Sequence, residues 1–170
     1  MLTTCITIIT FLKKAYIENA SIDGKILNAL QSDCSGSIAD IADRAGVSQT
    51  PCWRRIKKLE EAGYIDRRVA LLNLKALSLT MTAYVMVKTA HHHDAWLKRF
   101  SDGVQNIPEI VEIHQMAGDI DYLLKVVAGD IAEYDAIYKR LIKVAELSDV
   151  SASFFIECIK TTTELPLDRL

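Results

Sequence analysis

The sequence predicts an α+β chain in two parts: a winged helix-turn-helix unit over residues 19–80, then a ferredoxin-like βαββαβ unit over 81–167. Three observations predict it. Between Ser21 and Gly63, apolar residues recur in steps of three and four, in three short runs separated by glycine. After Leu79 the pattern changes to β-branched and alternating segments. Two further runs with helical spacing lie between those segments, which gives the order strand, helix, strand, strand, helix, strand.

The first helix opens at Ser21, with Ile22, Ile26, Leu27 and Leu30 as its buried stripe. Its exit is expected near Asp33–Gly36, where Gly36 permits a left-handed turn. Ser37 caps the second helix, Asp40 follows three residues on, and Ile38, Ile41, Ala42 and Ala45 form its stripe. Gly46 supplies the tight turn and Val47 its apolar plug. The third helix starts at Ser48, carries Pro51 in its first turn and ends at Gly63. Cys52, Ile56, Leu59 and Gly63 mark its inward face. Tyr64–Leu74 reads as a strand pair, or wing, interrupted by a charged Asp66-Arg67-Arg68 turn. The two halves join around Asn73–Ser78 without a Gly/Ser-rich spacer.

In the second half, Thr82–Thr89 is a strand and Asp94–Ile107 a helix with Trp96, Leu97, Phe100 and Val104 on one side, stopped by Pro108. Glu109–Met116 alternates as a half-buried strand, and Asp121–Ala128 is a more buried one. Asp130–Ala145 is helical and Val150–Ile159 is the last strand.

Half of the 170 residues are apolar and a quarter are charged, which excludes general disorder. The net charge of −2 excludes a uniformly basic nucleic-acid binder. It conceals a split: residues 21–72 carry eight Lys/Arg against seven Asp/Glu, and residues 73–170 carry ten against fourteen. Any grip on phosphate must therefore come from a local patch in the first half. The third helix supplies one. Its inward stripe leaves Thr50, Arg54, Lys57 and Lys58 pointing outward, and the Arg54-Arg55-Ile56-Lys57-Lys58 run concentrates four cations. In a helix-turn-helix this second helix enters the major groove of double-stranded DNA, with Ser48, Gln49 and Thr50 at the end that meets base edges. Arg54 suits bidentate recognition of guanine. Arg55, Lys57 and Lys58 suit phosphates, and Arg67 and Arg68 on the wing suit a flanking phosphate or the minor groove. A lone basic run is more often a solvated helix face, but three ordered helices with a Gly turn reverse that preference. Trp53 lies on the flank between the two faces, where packing on the wing and contact with DNA are equally good readings.

No catalytic, zinc or phosphate-loop signature is present, so the sequence predicts a non-enzyme without cofactor or metal. Cys5, Cys34, Cys52 and Cys158 share no CxxC spacing. His91-His92-His93 is read as a solvated loop, because consecutive histidines on a regular element cannot all face one ion. Cys158 with His114 makes a nucleophile and base only if the fold joins them, and a buried strand cysteine is the preferred reading. The apolar run before Lys13-Lys14 is too short to span a bilayer and has its basic residues on the wrong side for a signal peptide. A cytoplasmic, nucleoid-associated protein without membrane contact is the expectation.

Three segments, ILNALQSD, IADIADRAGVSQTPCWRRIKKLEEAGYI and LLNLKALSLTMTAYVMVK, resemble the DNA-binding half of the Lrp/AsnC (leucine-responsive, feast/famine) regulators. IPEIVEIHQMAGDIDYLLKVVAGDIAEYDAIYKRL and TTTELPL resemble that family's regulation-of-amino-acid-metabolism (RAM) domain. The resemblance implies a transcriptional regulator whose effector is an amino acid or related metabolite bound between subunits. It also implies a homodimer assembling further, often to an octamer. Carried onto this chain, the effector site falls on the turn Met116, Ala117, Gly118, Asp119, Ile120, Asp121 and Tyr122. Gly118 there allows close backbone approach, and Asp119 or Asp121 suits an ammonium group. Without the resemblance, a plain turn capped by Asp is the simpler reading. TPCWRR, KTAHHHDAW and MAGDIDYL are most similar to the branch that responds to cysteine and controls its detoxification. The alternative function is a chromosome-organising protein that wraps DNA with little ligand dependence. Two departures stand out. Gly24 replaces a position commonly Arg or another long side chain, and twenty residues with a β-branched run (Ile6–Thr10) precede the usual start. For those twenty, an arm, a strand added to a partner and an upstream start codon remain open readings.

Overall fold

The computed structural model describes residues 21–91 and 93–167. The readings made for residues 1–20 and for His92 lie outside the described residues. The chain separates into two compact units, one of residues 21–70 with 160–167 and one of residues 71–159. Against the sequence boundaries, residues 71–80 go with the second unit and 160–167 with the first.

In the first unit, residues 21–32 are helical (α1), followed by α2 (Ile38–Ala45) and α3 (Gln49–Glu61). Their apolar stripes meet in one core: Ile26, Leu27, Ala29 and Leu30 from α1, Ile41, Ala42 and Ala45 from α2, and Cys52, Ile56 and Leu59 from α3. The α2 start is a full capping box. Asp40 N–H donates to Ser37 Oγ, while Ser37 N–H donates to the Asp40 carboxylate at 2.7 Å. The hydrogen bonds from Ser37 hold the Asp40 carboxyl below its usual range. Gly46 closes α2 at φ 68°, and its N–H reaches the carbonyls of Ala42 and Asp43. The turn to α3 therefore needs a residue that tolerates the left-handed region.

Two expectations for this unit change. Gly36 does not provide a left-handed exit; among the described residues, positive φ is found at Gly46, Gly63, Ser78 and Gly118. Its smallness serves the next helix instead, because a Cβ there would lie 3.1 Å from Asp40 Cβ, inside the capping box. The Tyr64–Leu74 strand pair does not form. Residues 65–73 have no regular structure, and Asn73 Oδ1 accepts from Lys75 N–H and Ala76 N–H to start a turn. A two-stranded ribbon needs a packed face to persist, and Val69, Leu71 and Leu72 find none among the described residues. The C-terminal residues dock on the first unit. Gln31 exchanges two 2.9 Å hydrogen bonds with the Leu165 backbone, and Leu167 packs on the three-helix core.

The second unit contains β1 (Met81–Lys88), α4 (Asp94–Gln105), β2 (Ile110–Gln115), β3 (Tyr122–Ala128), α5 (Ile131–Leu141) and β4 (Asp149–Phe154). The sheet order is β2-β3-β1-β4, and every pairing is antiparallel. Both helices cover one face. Trp96, Phe100 and Val104 of α4, with Ile137 and Leu141 of α5, pack on Val85, Val87, Leu124 and Val126. The ring of Phe100 stands 5.0 Å from Trp96 and 4.8 Å from Tyr122, centroid to centroid, so three aromatics join α4 to β3.

Strict alternation through β2 would put Ile110 on the same face as Glu112 and His114. The structure avoids this with a β-bulge between Ile110 and Glu112. Ile110 then pairs with Val126 and Ile113 with Leu124, both on the core face, while Glu112 faces Lys125 on the other. One extra residue, Val111, resets the parity of the strand. The last strand is shorter than expected, ending at Phe154, and residues 155–167 have no regular structure.

Gly103 marks the tightest helix contact. A Cβ there would fall 2.3 Å from Val144 Cγ1, and a β-branched side chain has little freedom to yield. Gly103→Ala should destabilise the fold by about 1–3 kcal/mol despite its better helix propensity. Val144→Ala in the same chain should recover part of that loss, giving a coupling measurable in a double-mutant denaturation cycle.

Candidate nucleic-acid interface and effector turn

The inward stripe of α3 fixes the direction of everything else on that helix. Cys52 is fully buried, Ile56 is 1% exposed and Leu59 is buried, whereas Thr50, Arg54, Lys57 and Lys58 are all exposed. Ser48 stands at the N-cap with extended backbone, and its side chain makes no capping hydrogen bond. Ser48, Gln49 and Thr50 are likewise exposed.

The six cations expected at DNA divide into two sets. Arg55 is half-buried and its Nη1 donates to Asp23 Oδ1 at 2.7 Å, which ties α3 to α1. Glu60 receives two donors: Lys57 Nζ at 2.9 Å and Arg68 Nη2 at 2.7 Å. The Lys57 hydrogen bond is the main cause holding the Glu60 carboxyl below its usual range, with Arg68 adding to it. Arg68 is thereby clamped against the recognition helix although no wing strand forms. Arg67 has only a loose 3.8 Å approach to Asp66 at a fully open surface. Among the described residues, Arg54 and Lys58 have no ion-pair partner. These two carry uncompensated charge at the outer pole of α3.

In the second unit, the turn between β2 and β3 is closed by Met116 N–H donating to the Asp121 carbonyl at 2.8 Å. Gly118 sits at φ 143°, a conformation that side chains rarely adopt. Met116, Ala117, Gly118 and Asp119 are exposed. Asp121 is built into the fold: its carboxylate accepts from Thr89 N–H at 2.8 Å, and its own N–H donates to the Val87 carbonyl. Tyr122 is buried among Trp96 and Phe100, and that burial raises its phenol pKa.

Beside the base of this turn lies a cleft of about 550 Å³ between α4 and the β2 edge. Leu97, Ser101 and Gln105 line it from α4, Val111, Ile113 and Gln115 from β2, and Tyr122 from β3. Sequence reading missed it, although Leu97, Ser101 and Gln105 stand four residues apart on one helical ridge. The bulge that turns Val111 and Ile113 towards that ridge leaves only a faint mark in the sequence, the break in alternation at Ile110-Val111.

Residues 82–165 match the family model for the Lrp/AsnC ligand binding domain, and residues 20–66 match one for winged helix-turn-helix DNA-binding. The chain belongs to the Lrp/AsnC family. Among curated relatives, it is 44% identical over 148 residues to the DNA-binding transcriptional activator DecR of Escherichia coli, covering 86% of this chain and 97% of that protein. It is 43% identical to the glutamate uptake regulatory protein of Zymomonas mobilis, covering 85% of this chain and 88% of the relative. Among solved structures, it resembles an AsnC family transcriptional regulator from Agrobacterium tumefaciens at 54% identity and TM-score 0.82, covering 86% of this chain and 96% of the other. A transcriptional regulator from Neisseria meningitidis in complex with L-methionine matches at 30% identity and TM-score 0.81, again covering 86% and 96%. The Lrp/AsnC protein described here is thus a DNA-binding transcriptional regulator with a winged helix-turn-helix and a ferredoxin-like ligand domain. Its relatives favour that function over general chromosome organisation. Among the described residues, no helix is long and apolar enough to cross a membrane.

The partition of cations predicts contrasting mutants. Arg54→Ala should weaken specific DNA binding about 10–100-fold with an unchanged melting temperature. Arg55→Ala should instead lower the melting temperature, by no more than about 1 kcal/mol of stability for a half-exposed pair. Gel shifts and thermal melts on the two variants separate the roles.

Proposed function

We propose that this regulator binds specific duplex DNA through α3 and responds to a free amino acid or closely related metabolite held at the β2–β3 turn. On the DNA side, Arg54 reads a base edge and Lys58 takes a phosphate. Ser48, Gln49 and Thr50 approach the bases from the helix N-terminus. Arg67 and Arg68 reach the flanking backbone, Arg68 from its position on Glu60. Lys57, which shares Glu60, exchanges that carboxylate for a phosphate, and Arg55 acts chiefly by orienting α3.

The observation that carries the ligand half is the cleft at the base of the β2–β3 turn, lined by Gln115 and Tyr122 on either side of that turn. Its lining is apolar on Leu97, Val111 and Ile113 and neutral polar on Ser101, Gln105 and Gln115, with the one carboxylate, Glu112, paired to Lys125, which suits a small side chain. The exposed Met116–Asp119 backbone supplies N–H groups for a carboxylate, and the exposed Asp119 carboxylate suits the ammonium. Asp121 and Tyr122 support the turn from beneath. The L-methionine complex of the Neisseria meningitidis relative puts methionine in the panel of candidates, and the TPCWRR and MAGDIDYL segments add cysteine.

The open face of the sheet supports self-association. Tyr84 and Met86 of β1 and Leu123 of β3 are only partly buried, with the Phe155 ring against Tyr84 and, among the described residues, no helix on their side. A homodimer through this face, assembling further to an octamer, completes the effector site between subunits. Such a protein works in the cytoplasm, on the nucleoid, and does no catalysis.

A thermal-shift panel of the proteinogenic amino acids tests the reading. One or a few, methionine and cysteine among the first to try, should stabilise the chain by about 2.7 kcal/mol at a hundred times the dissociation constant. Gly118→Val should abolish that shift while leaving unliganded DNA binding intact. A flat panel, with no amino acid altering a gel shift on the promoter of its own gene, refutes the effector assignment.

A further inference from the structure

Trp53 is the largest exposed side chain of the first unit, and it stands on the helix that faces DNA. It is 51% exposed. Among the described residues its ring has no aromatic or cation–π contact, and its indole N–H has no acceptor. The contrast with Trp96 is internal to the chain: that indole is 6% exposed, stacked on Phe100, and donates to the Glu146 carbonyl at 2.9 Å. A tryptophan serving the core is packed and hydrogen-bonded; Trp53 is neither.

Its place on α3 narrows what it touches. Trp53 follows Thr50 by three residues and precedes Lys57 by four, so it adjoins both on the helix surface, and Arg54 is next in sequence. The wing does not bury it, because residues 65–73 form no strand against α3 and Arg68 is occupied with Glu60. An uncharged ring between Thr50 and Lys57 neutralises no phosphate. In the major groove, the apolar feature it can cover is the C5-methyl of thymine, while its N–H can donate to a neighbouring purine N7 or carbonyl oxygen.

We propose that Trp53 is a specificity-determining residue that selects thymine through its C5-methyl in the half-site read by Arg54. This rests on the reading that α3 enters the major groove. Arg54 supplies the polar recognition and Trp53 the apolar recognition, from adjacent positions on one helix.

The probe is a duplex recovered from a randomised library by selection with the full chain. Trp53→Ala should recover sequences that have lost one or two thymine positions, with the Arg54-dependent positions kept; Trp53→Phe should retain the thymines. Replacing that thymine by uracil in the wild-type site should weaken wild-type binding about fourfold, the worth of one buried methyl-sized group, and leave Trp53→Ala unaffected. The slope of affinity against salt should be the same for wild type and variant, because a neutral ring releases no counterions. Acrylamide quenching gives a readout without mutation. Trp53 is the accessible indole, and saturation with the selected duplex should shield it. Unchanged thymine preference in Trp53→Ala, or equal quenching with and without the duplex, overturns the proposal. If Arg54→Ala also leaves the selected sequence unchanged, the placement of α3 in the groove fails with it; if Arg54→Ala shifts the sequence and Trp53→Ala does not, the role of Trp53 alone fails.

Discussion

Everything the first unit can do at DNA depends on the burial of three side chains on one helix. Cys52, Ile56 and Leu59 are locked into the core formed by α1 and α2. At about 100° per residue, that lock leaves no freedom for the rest of α3: Thr50, Arg54, Lys57 and Lys58 must face away. The stripe is narrow, one small thiol and two aliphatic residues, which is why the neighbouring elements brace it. The capping box at Ser37 and the left-handed Gly46 fix where α2 ends. The Arg55–Asp23 pair then holds α3 against α1 from its flank. Removing apolar surface from water drives the association, and the polar contacts choose the angle.

The second unit solves a different problem, how to hold an exposed turn in a fixed place at the end of a sheet. Its anchor is aromatic. Tyr122, the first residue of β3, is buried against Phe100 and Trp96, so the strand is pinned at the point where the turn ends. Asp121 adds a polar anchor one residue earlier, accepting from Thr89 N–H while its own backbone bonds to Val87. The turn is therefore held at its β3 end by Asp121 and Tyr122, because a strand terminus must be satisfied by something, and the nearest carboxylate and ring supply it.

Elements with local causes were legible in the sequence. The three helices of the head, the Ser37 and Gly46 caps of α2, the strand and helix order of the second unit and the outward cations all follow from spacing within a few residues. What escaped was non-local. The pairing of Asp23 with Arg55 spans 32 residues and ties α3 to α1, a contact that local spacing does not reveal. The docking of Leu165 and Leu167 on the first unit reverses the assignment of the C-terminal segment, and nothing in TTTELPL announces Gln31 as its partner. The bulge at Val111 lies between these cases: the apolar Ile110-Val111 followed by Glu112-Ile113 breaks strict alternation, and that break was the available signal. The strand pair expected over Tyr64–Leu74 does not form because β-propensity describes fitness for a packed pleated surface, which residues 65–73 lack among the described residues.

The charge distribution shows how a chain of net charge −2 presents a DNA face. Counting cations along α3 gives four, but charge available to phosphate is what remains after internal pairing. Asp23 takes Arg55, and Glu60 shares itself between Lys57 and Arg68. Both carboxylates stabilise geometry while lowering the positive potential, so the residual charge is concentrated on Arg54 and Lys58, at the pole opposite the buried stripe. Such concentration favours recognition over avidity: a uniformly basic helix would bind any duplex by counterion release, whereas two directed cations gain most where a matching acceptor lies opposite. The acidic pairing partners thus confine the unpaired positive charge of α3 to Arg54 and Lys58, on the side opposite its buried stripe.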